Sequence, residues 1–95
     1  MALGMLKDLL VGGLLVPDEQ LTLTRRDRVH GATLTIEGAV RLEDGRVFSS
    51  LSTAAKELTG TSTNGWMAWH IPRLGGCTVA EVRMQLALAQ QAATS

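Results

Sequence analysis

A chain of 95 residues holds one domain, and its 45% hydrophobic content is too high for a disordered chain. Nine basic and nine acidic side chains give zero net charge, which excludes a general polyanion binder and confines any nucleic-acid contact to a local patch. Cys77 is the single cysteine, so an intramolecular disulfide is excluded and a reducing cytosol fits.

Leu3, Leu6, Leu9 and Leu10 recur at helical spacing, and Gly12, Gly13 and Pro17 stop that helix. Lys7 and Asp8 interrupt the apolar run, so it is not a secretory signal. No segment approaches the roughly 20 apolar residues of a membrane span, and a cytoplasmic protein is expected. Leu21 and Leu23 then alternate with Thr22 and Thr24, which predicts a strand. Ala32, Leu34 and Ile36 alternate with threonines in a second strand. The phase changes between Val29 and Ala32, so a bulge is expected at Gly31.

Glu37-Gly38 marks a turn, Val40 and Leu42 a third strand, and Asp44-Gly45 a hairpin turn into a fourth short strand at Arg46–Phe48. Ser50 or Ser52 caps a helix that carries Ala54, Ala55 and Leu58, and Gly60 suits its left-handed end. Thr61-Ser62-Thr63-Asn64-Gly65 is a polar loop, Trp66 to Ile71 a candidate short strand, and Pro72 to Gly76 a connector. Thr78 with Glu81 forms a capping box for a last helix along Val79, Val82, Leu86 and Ala89, ending near residue 92. The expected fold is α+β: a four-stranded antiparallel meander over residues 20–49 packed with about three helices. It is one domain over residues 1–95.

Catalytic patterns are missing from the sequence. His30 and His70 stand in no metal-ligand spacing, Cys77 has no base beside it, and the serines lack a nucleophile elbow. The Gly60–Gly65 segment lacks the end of a phosphate-binding loop, and Gly75-Gly76 before the Thr78 cap is better explained as a turn. No enzyme activity, metal or cofactor is expected.

Two features are less bland. Arg25, Arg26, Arg28 and His30 cluster near the first hairpin turn, diluted by Asp27. From Leu58 to Ala80 there is no acidic residue, and that stretch holds His70 and Arg73 beside the hydroxyl and amide groups of Thr59 to Asn64, with Lys56 one turn before it. Among the aromatics, Phe48 and Trp69 are expected in the core. Trp66 follows the polar loop, and both a core role and a ligand-facing role are open for it.

The segment Val47 to Trp69 resembles the RAMA domain, named for its association with restriction enzymes and adenine methylases, and the resemblance extends over about residues 3–83, the core of the domain. Phe48 matches the family's aromatic, Ser50 and Ser52 its serines, Ala54 and Ala55 its alanines, and Thr59-Gly60 its Thr-Gly pair. Ser62, Asn64-Gly65-Trp66 and Trp69 match the rest, while Leu51 replaces a common Pro and Thr53 a common Ala. The resemblance implies a small bacterial, non-catalytic module that reads modified bases such as N6-methyladenine for a restriction-modification system. Such domains are usually fused to an effector, and none is carried here. A restriction or methylase partner protein, or a second copy of the chain, is therefore expected besides DNA. On this reading Thr61, Ser62, Asn64, Gly65 and Trp66 form the recognition loop, since Asn pairs well with adenine, and Arg25, Arg26, Lys56 and Arg73 contact phosphates. The competing reading is a protein-interaction or scaffold module without DNA, which zero net charge favours. Met84 and Leu88 would suit a partner helix, although core packing explains them as well. An arginine cluster and polar loop on one face would favour DNA.

Overall fold

The computed structural model describes residues 6–94, so Leu3 of the expected first helix lies outside the described residues. Strands β1 (Gln20–Arg25) and β2 (Arg28–Leu34) pair antiparallel in one register, from Gln20 opposite Thr33 to Arg25 opposite Arg28. The turn between them is Arg26-Asp27, with Arg26 in the left-handed region at φ 55°. β3 (Val40–Leu42) and β4 (Val47–Phe48) continue the meander, with Ala32 opposite Leu42 and Val40 opposite Phe48. The alternation seen in the sequence is the cause. Leu21, Leu23, Ala32, Leu34, Val40 and Leu42 all point to one face and are buried, while Thr24, Val29 and Arg41 point to the other and are exposed. The Asp44-Gly45 turn forms as expected, with Gly45 at φ 93° and its N–H donating to the Leu42 carbonyl at 2.9 Å.

Three expectations need correction. Gly31 is not at a bulge: it pairs with Thr22 in unbroken register. The apparent phase change arises because Val29 belongs to the solvent face, 65% exposed. What Gly31 accommodates is Glu43, whose Oε1 accepts its N–H at 2.8 Å and lies 3.4 Å from where a Cβ would stand. Second, the strand expected over Trp66–Ile71 divides into one helical turn, α3 (Gly65–Ala68), and the two-residue strand β5 (His70–Ile71). Third, the sheet has six strands, because β5 pairs with the free edge of β1 and with β6 (Cys77–Thr78), giving the order β4-β3-β2-β1-β5-β6. Strands of two residues are too short to show a period of two.

The described residues hold four helices: α1 (Leu6–Val11), α2 (Leu51–Thr59), α3 and α4 (Val79–Thr94). Leu6, Leu9, Leu51, Ala54, Ala55, Val79, Val82 and Leu86 join the inward strand residues in one core. Trp69, with no exposed surface, and Ile71 lie within it, whereas Phe48, Trp66 and Cys77 pack at its margin. The expected α4 face holds for Val79, Val82 and Leu86, but Ala89 is exposed. Ile36 lies exposed in the β2–β3 turn rather than in a strand.

Gly60 ends α2 in the left-handed region at φ 77°, its N–H donating to the Lys56 carbonyl at 2.7 Å. Open space surrounds its Cβ position, so a substitution there tests backbone conformation alone. Gly60→Val should cost about 1–2 kcal/mol, which for a domain of this size lowers the melting temperature by roughly 5–15 °C. Thermal unfolding followed by circular dichroism is the check, and an unchanged melting temperature would refute the capping role.

Candidate nucleic-acid interface

Helix α2 is the spine of the candidate surface. At its start, Ser50 supplies the cap, accepting the Thr53 N–H at 3.1 Å. Onto this first turn folds the segment Asn64–Trp69. Gly65 approaches so closely that a Cβ would lie 2.2 Å from the Leu51 carbonyl carbon and 2.3 Å from the Ser52 nitrogen, so only glycine fits. Its N–H donates to the Ser52 hydroxyl at 3.0 Å. Asn64 accepts the Trp66 N–H through Oδ1 at 3.1 Å, capping α3. The buried Trp69 indole N–H donates to the Leu51 carbonyl at 3.0 Å.

At the other end of α2, Arg25 donates from Nη1 to the Leu58 carbonyl at 3.3 Å. The arginine hairpin and the Asn64–Trp66 turn thus stand at opposite ends of a nine-residue helix, about 13 Å apart at 1.5 Å per residue. Between them Ser52, Thr53, Lys56, Ser62 and Thr63 line a shallow cleft of about 180 Å3. Thr59 and Thr63 hydroxyls both donate to the Thr61 carbonyl, at 3.1 and 3.0 Å, and hold the loop in shape. At the hairpin end, Arg25, Arg26, Asp27, Arg28, His30 and Leu58 line a larger concavity of about 420 Å3.

Asp27 lines the same concavity as the arginines, while the other acidic neighbours of the hairpin are engaged. Glu43 accepts the Gly31 N–H, and Asp44 and Glu57 both pair with Arg46. The backbone N–H and then the guanidinium of Arg46 hold the Asp44 carboxyl below the usual carboxylate range. Among the described residues, Arg26, Arg28 and Lys56 make no ion pair, leaving their charge to a ligand.

Of the sequence-predicted residues, Arg25, Arg26, Lys56, Thr61, Ser62, Asn64, Gly65 and Trp66 are gathered at α2 and its following loop. Arg73 is elsewhere. It follows β5 in a 3-10 turn (Pro72–Leu74) and grips the buried Glu19 carboxylate, Nη2 to Oε1 at 2.6 Å, while Nη2 also donates to the Leu14 carbonyl at 3.1 Å. That contact raises the Arg73 pKa above its ordinary value. Glu19 precedes β1, so Arg73 stands at the far end of that strand from Arg25. Sequence reasoning passed over Arg83, whose guanidinium lies 4.3 Å from the Trp66 ring centroid. The two are 17 positions apart, and no local pattern marks the pair.

Fold and site define a small α+β domain in which the arginine hairpin and a polar loop flank one helix, α2. The chain belongs to the RAMA family, Restriction Enzyme Adenine Methylase Associated, matching it over residues 3–92. No curated protein sequence matches the chain. No helix among the described residues is long and apolar enough to cross a membrane.

Two substitutions test this architecture. Gly65→Ala should drive its methyl into the α2 backbone and cost about 2–3 kcal/mol, read as a lower urea midpoint. Arg73→Ala strands the Glu19 carboxylate, 3% exposed. It should cost about 1–3 kcal/mol in the same measurement, and equal midpoints for wild type and variant would show that the ion pair contributes nothing.

Proposed function

We propose that the chain is a non-catalytic DNA-binding module that reads a modified base for a restriction or methylation system. The observation that carries this reading is the set of cations around α2 that make no ion pair among the described residues: Arg26 and Arg28 in the concavity at its far end, and Lys56 in the cleft it shares with Ser62 and Thr63, with Trp66 near its start. The α2 span of about 13 Å matches a few nucleotides, so a neutral chain still offers a local polyanion track. The Asn64 Oδ1 is committed to capping α3, which leaves its amide N–H groups as the recognition donors. Membership of the RAMA family supports the link to an adenine methylase system. Recognition then separates into two parts: arginines and Lys56 bind phosphates regardless of sequence, and the Trp66 end senses the modification.

The test is a titration of labelled duplexes, methylated and unmethylated, at two salt concentrations. Burying one methyl group contributes about 1 kcal/mol, so the expected preference is about fivefold. Arg25→Ala with Arg26→Ala should weaken both duplexes alike and reduce the salt slope by about 2. Trp66→Ala, with folding verified by circular dichroism, should erase the preference and keep the salt-dependent part. No binding of either duplex at low salt would overturn the DNA reading.

A second reading, a protein-interaction module, is favoured by α4. Met84 and Leu88 are 65% and 59% exposed, opposite the buried Val82 and Leu86. The sequence from Met84 to Ser95 carries no charge. That face would take a partner helix or a second copy of the chain, and it is compatible with DNA on the α2 surface.

A further inference from the structure

A separate cleft opens at the N-terminal end of α2, with a volume of about 310 Å3. Leu6 and Lys7 of α1, Glu37 of the β2–β3 turn, Ser49, Leu51 and Trp66 line it. Its walls are fixed by packing. Leu6 and Leu51 are buried in the core, 7% and 2% exposed. The β2–β3 turn is pressed onto α1, since a Cβ at Gly38 would stand 3.1 Å from the Lys7 Cβ. Trp66 is held by the Asn64 cap on its N–H and by Arg83 over its ring, and Arg83 does not line the cleft. One side of the indole is therefore taken by a cation and part of the ring packs at the core margin, while Trp66 also lines the cleft.

The chemistry of this lining is selective. An indole beside two leucines favours a flat, π-bearing ligand. Ionised Glu37 only accepts hydrogen bonds, so the ligand must carry N–H donors at its edge. Ser49 donates or accepts, and the Lys7 ammonium can meet a phosphate at the rim. The volume stands at the low end for small-molecule sites and is enough for one base. A base reaches such a cleft only after leaving the stack.

We propose that this cleft takes one extruded nucleobase bearing an exocyclic amine, set against Trp66 with its amine toward Glu37. The inference rests on the DNA reading above and makes it specific. Adenine, cytosine and guanine present such an amine on their pairing edge, whereas thymine has only its ring N–H there. A methylated amine keeps one N–H for Glu37 and turns its methyl toward Leu6 and Leu51. The α2 surface then holds the strand, and the cleft beside it inspects the base.

The experiment is a two-dimensional NMR titration of the full chain with N6-methyl-2′-deoxyadenosine, 2′-deoxyadenosine and thymidine, beside the duplex titration. The expected result is joint movement of the amides of Glu37, Gly38 and Ser49–Leu51 and of the Trp66 indole N–H. Thymidine should bind at least about fivefold more weakly, as one base contact discriminates. Glu37→Ala lies in an exposed turn and should lose that discrimination between amine-bearing nucleosides and thymidine. Shifts confined to Thr61–Asn64, or discrimination that survives Glu37→Ala, overturn the cleft assignment. If that discrimination survives while methylated duplex is still preferred, the cleft fails while the reader function stands. If no duplex binds but nucleosides move the cleft amides in a Glu37-dependent way, the base site stands and the duplex-reading function fails.

Discussion

Among the glycines of the described residues, Gly65 makes the tightest approach, against the first turn of α2, where backbone meets backbone with no room for a methyl group. Much else follows from that contact. It brings Trp69 under α2, so that its indole N–H reaches the Leu51 carbonyl and its ring fills the centre of the core. It sets the direction in which the chain leaves α3, so that β5 meets the edge of β1 at Thr22 and His70. It also leaves Trp66 at the surface of the same turn, pinned by Arg83. A buried indole N–H without its carbonyl would carry the full cost of an unmade hydrogen bond, so seam and core are coupled.

Most of the recognisable Phe–Ser–Ala–Thr-Gly–Asn-Gly-Trp–Trp pattern therefore serves the scaffold. Ser50 caps α2, Ala54 and Ala55 let it lie close on the sheet, and Gly60 ends it. Ser52 receives the Gly65 N–H, Asn64 caps α3, and Trp69 is core. Side chains left for a ligand are few: Trp66, Lys56 and the hydroxyls of the loop. A sequence pattern this specific identifies the fold more directly than the ligand, because its glycines and caps answer to backbone geometry.

The sequence made β1 to β3 legible because their apolar residues alternate, and β4 legible through the Asp44-Gly45 turn before it. It made α2 legible through caps at both ends. What it hid has physical causes. β5 and β6 are pairs of residues whose strand character exists only through β1 and each other. Gly31 looked like a bulge because a solvent-facing Val29 mimics an inward residue. Arg73 looked available because a guanidinium in an acid-free stretch shows no partner locally, yet Glu19 lies 54 positions away in the chain and beside it in space. The hairpin arginines and the loop were both visible, but their placement at the two ends of α2 depends on the Arg25–Leu58 contact across the fold. The Glu37 cleft has no sequence signal at all, since its walls come from four separate segments.

The outermost strands of the sheet, β4 and β6, are only two residues long. Such stubs expose too few unpaired backbone groups to template another strand, a common safeguard against edge-to-edge aggregation. Growth of the sheet from its two outermost strands is thereby disfavoured, which suits a module placed next to other folded units at high local concentration.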